Sequence, residues 1–276
     1  MHPALLWCAL AFYGLGIVLS LPPAVRGRPS LSSATLAALS IGLFLHALAL
    51  LAAAIQLHRL PVVDVRSALS FYGFDITLAF FLAYLRYRIT WLGIFMLPFV
   101  FILTLIAAVH PAAPFEPVPL RGSWLLVHVS AMILGYTGFF LSFIAALMYL
   151  IQEGELKSKS PKALYYRLPS LEVCDDLYDR SLIFGLFFLS VGILTGFVWA
   201  SRAWSGPWEL DPKILSSLII WVIYLTLLST RFSGSWRGRR AAYVAILGFA
   251  AMMVTFLGVS FLSGQHGYIP NISRMR

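Results

Sequence analysis

Residues 35–57 read TLAALSIGLFLHALALLAAAIQL, an apolar run that contains no Asp, Glu, Lys or Arg. A transmembrane helix needs about 20 consecutive, mostly apolar residues, so this stretch predicts a helix that crosses a membrane. Seven further stretches share its character and predict an all-α integral membrane protein, a polytopic bundle of about eight transmembrane helices. The predicted spans are residues 3–22, 35–57, 68–85, 90–109, 123–151, 182–201, 213–231 and 241–262.

The composition also indicates a membrane protein. Hydrophobic residues make up 60% of the 276 residues and charged residues only 11%, whereas a soluble domain is roughly 45–50% apolar and about 25% charged. We therefore expect residues 1–276 to form a single transmembrane domain without a large soluble part. The two cysteines form no CxxC pattern, which excludes a c-type cytochrome and a thiol oxidoreductase with a paired active site.

The basic residues predict the orientation of the chain. Most Lys and Arg residues lie in the first, third, fifth and seventh connectors between spans. By the positive-inside rule these connectors face the cytoplasm, so both termini face outward from a cell inner or plasma membrane. The net charge of +9 then belongs to cytoplasmic loops and gives no reason to expect nucleic acid binding. The longest connector, residues 152–181, is predicted to form a short amphipathic helix at the membrane surface.

Histidine and tryptophan residues gather near the predicted outer face. His128 lies inside a span, about a turn and a half from its outer end, where a polar side chain needs a partner. The loop between spans six and seven holds Trp199, Trp204 and Trp208 and leads to Asp211. Histidine is the commonest metal ligand and a frequent haem ligand, and aromatic rings can stack on a flat macrocycle. These residues therefore predict an outer-face site built from His and Trp.

The same residues also have ordinary structural interpretations. Interfacial tryptophans commonly anchor a span, and Asp211 before Pro212 has the form of a helix start with Asp as the N-cap. His46, deep in the second span, is expected to be a hydrogen-bonded residue between helices rather than a ligand. Asp75, buried in the third span, is expected either to pair with a histidine or to bond a neighbouring helix.

Residues 120–270 resemble the tryptophan-rich "WWD" region of the CcsA/CcmC/HemX cytochrome c assembly proteins. The matching segments are Trp199-Ala200, Ala203-Trp204, Trp208, Asp211-Pro212-Lys213, Leu126-Val127-His128-Val129-Ser130, and residues 235–242 and 264–268. The resemblance implies that His128 and His266 are paired axial ligands of haem b at the outer face, under the Trp-rich loop. Our own candidates for the cations that haem propionates need are Arg121, Arg202 and Lys213.

The chain departs from the family pattern at informative positions. Leu210 replaces the second Trp of the W-x-W-D core, and Ser229 replaces a histidine that haem-exporting members use at an inner haem site. The second replacement argues against haem passage across the bilayer. With the connector segment Arg167-Leu168-Pro169-Ser170-Leu171-Glu172, these departures make the chain resemble the HemX branch most closely.

The resemblance supports two functions. The first is a haem-binding factor of cytochrome c biogenesis without evident catalytic residues, which presents haem to apocytochrome c together with a second membrane assembly subunit. The second is a HemX-type regulator of tetrapyrrole synthesis, which acts on the level of glutamyl-tRNA reductase. A small-solute transporter is less favoured, because the sequence shows neither an internal repeat nor paired broken spans.

Overall fold

The structure, a computed structural model, describes residues 3–25, 31–58, 60–62, 64–110, 124–158, 167–203, 211–233 and 238–258. Eight α-helices and one π-helical turn account for nearly all of these residues. The helices are α1 (Pro3–Val25), α2 (Ser33–Leu57), α3 (Val65–Tyr87), α4 (Leu92–Val109), α5 (Trp124–Lys157), α6 (Leu171–Ala203), α7 (Pro212–Phe232) and α8 (Arg239–Met253), and the π-helical turn is Val254–Gly258.

All eight helices are long and apolar enough to cross a membrane, which confirms the predicted fold class. The largest difference concerns the connector at 152–181, because α5 continues to Lys157 and α6 already begins at Leu171. The described residues of this connector therefore extend the two spans instead of forming a separate surface helix. A helix can continue past its apolar run when polar residues pair along it, as Lys157 Nζ and Glu153 Oε1 do at 2.6 Å.

The chain divides into two compact units. The first comprises Met1–Val118 and Met148–Leu177, and the second comprises Pro119–Leu147 and Tyr178–Arg276. The first unit holds α1 to α4 with the end of α5 and the start of α6. The second unit holds the remainder of α5 and α6, together with α7, α8 and the π-helical turn. The single transmembrane domain expected from composition stays a prediction.

In the first unit, His46 has the structural role that its position predicted. Its ring is fully buried, with Tyr13 Oη 3.2 Å from Nδ1 and Ser70 Oγ 2.8 Å from Nε2. The imidazole therefore joins α1, α2 and α3, and both of its nitrogens are engaged. Asp75 is buried on α3, but its Oδ2 has no hydrogen-bond partner within the described residues. That oxygen does not make the expected bond to a histidine or to a neighbouring helix there.

The segment that suggested the HemX branch is a packing and capping element of the first unit. The Arg167 guanidinium lies 5.4 Å from the centre of the Trp91 ring, just before α4. Ser170 Oγ accepts a hydrogen bond from the Val173 backbone N–H at 3.4 Å, at the start of α6. Tyr87 Oη, at the end of α3, donates to an Asp176 carboxylate oxygen at 2.7 Å. The first two of these contacts give the segment a structural function within the unit.

In the second unit, α5 and α6 pack so closely that their backbones touch. A Cβ atom added to Gly138 would lie 2.6 Å from Gly185 N and 2.7 Å from Gly185 Cα. One added to Gly135 would lie 2.9 Å from Leu189 N. Small residues allow such close approach, and in lipid this packing is a main source of helix association. We call the contact of Gly135, Gly138 and Gly185 the glycine seam.

Aromatic side chains attach α7 and α8 to α5. The rings of Phe139 and Tyr224 stack with their centres 3.6 Å apart and their planes 6° from parallel. The rings of Phe143 and Phe249 stack at 4.5 Å. Offset or stacked aromatic pairs contribute about 0.5–1.5 kcal/mol beyond the burial of their surface. Thus α5 contacts every other helix of the second unit.

We predict that Gly138→Ala destabilises the protein by about 1–3 kcal/mol, because the added methyl group meets backbone atoms that cannot move aside. The matched control is Gly154→Ala on the same helix, where an added Cβ has no neighbouring atom within 4 Å. The control should be unchanged or slightly more stable, since Ala favours helix over Gly. Thermal unfolding of the purified proteins in detergent measures the stability of both variants. Equal stability of the two would contradict the close backbone contact at Gly138.

Candidate functional site

A pocket lies at one end of the second unit, and its space of about 350 Å³ includes open solvent. It is bounded by the first turns of α5, the last turns of α6 and the first turns of α7. The residues around it are His128, Met132, Ile193, Gly196, Phe197, Trp199, Ala200, Ile214 and Ser217. Its wall is mainly apolar and aromatic, with one imidazole.

The His128 ring is held in a defined orientation by α6. Its Nδ1 lies 2.7 Å from the backbone oxygen of Gly192. A carbonyl oxygen only accepts hydrogen bonds, so Nδ1 carries the proton and the neutral ring keeps its lone pair on Nε2. Metal-binding histidines commonly have this arrangement, in which one ring nitrogen donates to a carbonyl and the other binds the metal. The partner that an intramembrane histidine requires is therefore a main-chain carbonyl.

Two glycines of α6, one helical turn apart, make room for this arrangement. A Cβ atom at Gly196 would lie 2.6 Å from His128 Nδ1, and one at Gly192 would lie 2.6 Å from Met132 Sδ. The imidazole and the thioether thus occupy the space that larger side chains on α6 would fill. Sequence reasoning missed Met132 and both glycines. The four-residue spacing of the glycines in an apolar span was the available signal.

The other predicted site residues divide into three groups. Trp199 lines the pocket, as expected of a residue in the aromatic site. Asp211 is buried and its Oδ1 accepts the Lys213 backbone N–H at 2.9 Å, so it caps α7 and does not line the pocket. The geometry therefore supports the interpretation of Asp211 as the N-cap of α7. The remaining predictions, Trp204, Trp208 and His266, lie outside the described residues.

Two of the three proposed cations are near the pocket. Arg202, two residues beyond the pocket-lining Ala200, has its guanidinium 5.9 Å from the centre of the Trp124 ring. Trp124 precedes His128 by one turn on α5. Lys213 lies in the first turn of α7, within electrostatic range of His128. The third candidate, Arg121, lies outside the described residues.

Ser229, which replaces a histidine of haem-exporting family members, is directed away from the helix bundle. Its side chain is exposed, and its Oγ donates to the Leu225 backbone oxygen at 2.8 Å within α7. This back-bonding is common for serine in transmembrane helices and satisfies the hydroxyl without another helix. Position 229 therefore contributes nothing to the interior of the second unit.

The fold and the pocket define a polytopic membrane protein with a histidine in the wall of a mainly apolar pocket at one end of a helical unit. The profile of the family described as "Cytochrome C assembly protein" matches residues 37–266, and the chain belongs to this family. The match includes both His128 and His266. It begins well before residue 120, the start of the region that the sequence motifs identified.

Relatives within the family are named cytochrome c biogenesis protein CcsA. The protein of Guillardia theta is 36% identical over 173 residues, which cover 57% of this chain and 57% of that one. The protein of Synechococcus sp. strain CC9902 is 37% identical over 179 residues, with 57% and 59% covered. That of Thermosynechococcus vestitus is 32% identical over 202 residues, with 60% and 63% covered.

The matches therefore span 57% to 63% of the length of these relatives. All three carry the CcsA name, and the comparisons give no support to the placement in the HemX branch. The segment beginning at Arg167, which suggested that branch, packs on Trp91 and starts α6 in the first unit.

A double-mutant cycle tests the packing of His128 against α6. We predict that Gly196→Ala lowers stability, because its methyl group would overlap the imidazole and break the bond to Gly192. In a His128→Ala background the same change should be neutral or slightly stabilising. The coupling free energy, from denaturation in detergent, is expected to be on the order of 0.5–3 kcal/mol. Additive effects of the two substitutions would contradict the contact.

Proposed function

We propose that this chain is a haem-handling factor of cytochrome c biogenesis that holds haem beside His128 and presents it to apocytochrome c. The single observation that carries the proposal is the bond from His128 Nδ1 to Gly192 O, which leaves Nε2 available as a ligand at an apolar pocket. Membership of the cytochrome c assembly family supports it, as do relatives named for cytochrome c biogenesis.

The residues of the pocket suit the chemistry of haem as a cargo. His128 would supply one axial nitrogen to the iron. Met132, Ile193 and Phe197 offer an apolar surface to the porphyrin body, and the Trp199 ring can stack on it. The haem itself supplies the iron and the vinyl groups to which cytochrome thiols are joined. We take the cargo to be haem b, since its vinyl groups are still free before attachment.

We propose His266 as the second axial ligand, with Trp204 and Trp208 covering one face of the macrocycle. This part of the proposal rests on the family motifs at those positions rather than on geometry. Arg202 and Lys213 are proposed to neutralise the propionates, because both lie at the same end of the second unit as the pocket. A cation beside a carboxylate in a low-dielectric setting contributes more than the same pair in water.

The proposed role is non-enzymatic. Attachment of haem requires reduced thiols on the apocytochrome and a reduced iron, and the task of this chain would be to orient the cargo while partners supply both. Apocytochrome c is the proposed acceptor, and a second membrane subunit is a proposed partner. We further propose that the protein lies in the cell inner or plasma membrane with both termini on the non-cytoplasmic side.

The absorption spectrum of detergent-purified protein titrated with haemin tests this function. We expect the Soret band of haemin to shift and sharpen on binding to the wild type. This change should be lost in His128→Ala and lost or weakened in His266→Ala, because each variant lacks one axial nitrogen. His266→Ala should also change the visible bands from a low-spin to a high-spin pattern, since one axial histidine remains.

The matched control for the histidine variants is His58→Asn. His58 ends α2 with a φ of 51°, a left-handed conformation that Asn tolerates, so the fold should be preserved. The control should bind haemin as the wild type does. A wild type that leaves the Soret band of haemin unchanged from that of haemin in detergent alone would refute the proposed function. Binding that survives in His128→Ala but disappears in His58→Asn would refute the ligand assignment.

A further inference from the structure

The backbone carbonyl that orients His128 is shared with other hydrogen-bond donors. Within the described residues, Gly192 O accepts from His128 Nδ1 at 2.7 Å and from the Thr195 hydroxyl at 3.1 Å. The backbone N–H of Gly196 is directed at the same oxygen, as the i to i−4 pattern of an α-helix requires. A carbonyl oxygen has two lone pairs. The donors therefore compete for one acceptor.

The Thr195 hydroxyl divides its proton between two acceptors. Its Oγ1 also donates to Val191 O at 2.7 Å, one residue before Gly192 on α6. Such bonding to the preceding turn is ordinary for threonine in a helix, and Thr137 on α5 makes one bond of this kind, to Ile133 O at 3.0 Å. Thr195 differs in that one of its acceptors is also the partner of the imidazole in the pocket wall.

The packing of α5 on α6 fixes this arrangement. Gly185, the α6 member of the glycine seam, lies about two helical turns before Gly192 and holds the two backbones in contact. Gly192 is buried, and a Cβ atom at Gly196 would lie 2.6 Å from His128 Nδ1. The ring therefore has little freedom to leave the carbonyl. Competition from the hydroxyl changes the strength of the bond rather than the partner of the ring.

The strength of that bond controls His128 Nε2 as a ligand. An acceptor for the Nδ1 proton increases the electron density of the ring, which makes Nε2 a stronger donor to a metal. An electron-rich axial ligand favours ferric over ferrous haem iron, and hydrogen bonds to the ligand are one means by which a protein sets this preference. A second donor on Gly192 O draws away part of the electron density of that oxygen. The Thr195 hydroxyl thus weakens the bond from Nδ1.

We infer that the Thr195 hydroxyl moderates electron donation by His128 and thereby favours the ferrous form of haem held beside it. The inference rests on the proposed function for the identity of the cargo. It deepens that function, because attachment of haem requires a reduced iron. Thr195 is a positioning residue in this scheme, since it acts through Gly192 and lies outside the set of residues around the pocket.

Thr195→Val tests the inference, because valine has nearly the shape of threonine and lacks the hydroxyl. The purified protein is loaded with haemin, and its midpoint potential is measured by a spectroscopic redox titration. We expect the potential to fall, with the ratio of the ferrous to the ferric dissociation constant rising at least about threefold. Since a tenfold change corresponds to about 59 mV for a one-electron couple, the fall is about 30 mV or more.

Three variants control for effects of shape. Thr195→Ser keeps the hydroxyl, and Thr137→Val makes the matched change on α5 at a carbonyl that His128 does not use. Both should leave the ratio of dissociation constants within about 1.5-fold of the wild type. Thr195→Ala also removes the hydroxyl and should lower the potential in the same direction, so it replaces Thr195→Val if valine disturbs the fold.

A second measurement needs no haem. In protein that carries isotope-labelled histidine, the NMR signal of the His128 Nδ1 proton is identified by its absence in His128→Gln. We expect this signal to move to lower field in Thr195→Val, because the bond to Gly192 O becomes stronger when the competing donor is removed. It should keep its position in Thr195→Ser.

Any of three results would overturn the inference. The first is a potential in Thr195→Val that does not fall by the expected amount, and the second is an equal fall in Thr195→Ser or Thr137→Val. The third is a Nδ1 proton signal that does not move in Thr195→Val. Failure of the proposed function is distinguishable, since the wild type would then leave the Soret band of haemin unchanged while the proton signal still reports the effect of the hydroxyl.

Discussion

Backbone contact between α5 and α6 is the constraint on which the candidate site depends. Lipid removes most of the hydrophobic drive between helices, so close packing and hydrogen bonds must hold them together. Gly138 and Gly185 supply that packing with main-chain atoms. Further along α6, Gly192 and Gly196 keep the helices close enough for the His128 ring to reach a carbonyl oxygen. Larger residues at these positions would fill the space of the imidazole and separate it from the Gly192 carbonyl oxygen.

Polar side chains then determine which other helices pack together. An unsatisfied donor within a bilayer is costly, so each such group favours the arrangement that provides an acceptor. Trp221 donates a hydrogen bond to Ser190, and Arg231 donates one to Asp179. Both pairs join α7 to α6. In the first unit His46 joins three helices in the same way. The polar residues of the spans thus specify neighbours that apolar residues alone would leave open.

Hydropathy was sufficient to predict the eight spans, because an apolar run of that length has few alternatives to a membrane helix. It located the ends of α5 and α6 poorly, since residues near Lys157 and Leu171 remain helical without being apolar. It also predicted that His128 needs a partner, but a backbone carbonyl such as that of Gly192 has no sequence signature. Only the glycine spacing on α6 could have indicated it.

His46 and His128 show how one residue type acquires two roles in a membrane. The fold engages both nitrogens of His46, through Tyr13 and Ser70, and the ring is fully buried. At His128 the fold engages Nδ1 alone and places the ring at the wall of a cavity. The hydropathy of the surrounding sequence does not separate these cases. The distinguishing quantity is the number of ring nitrogens that the helices themselves occupy, because only a nitrogen left over can bind a ligand.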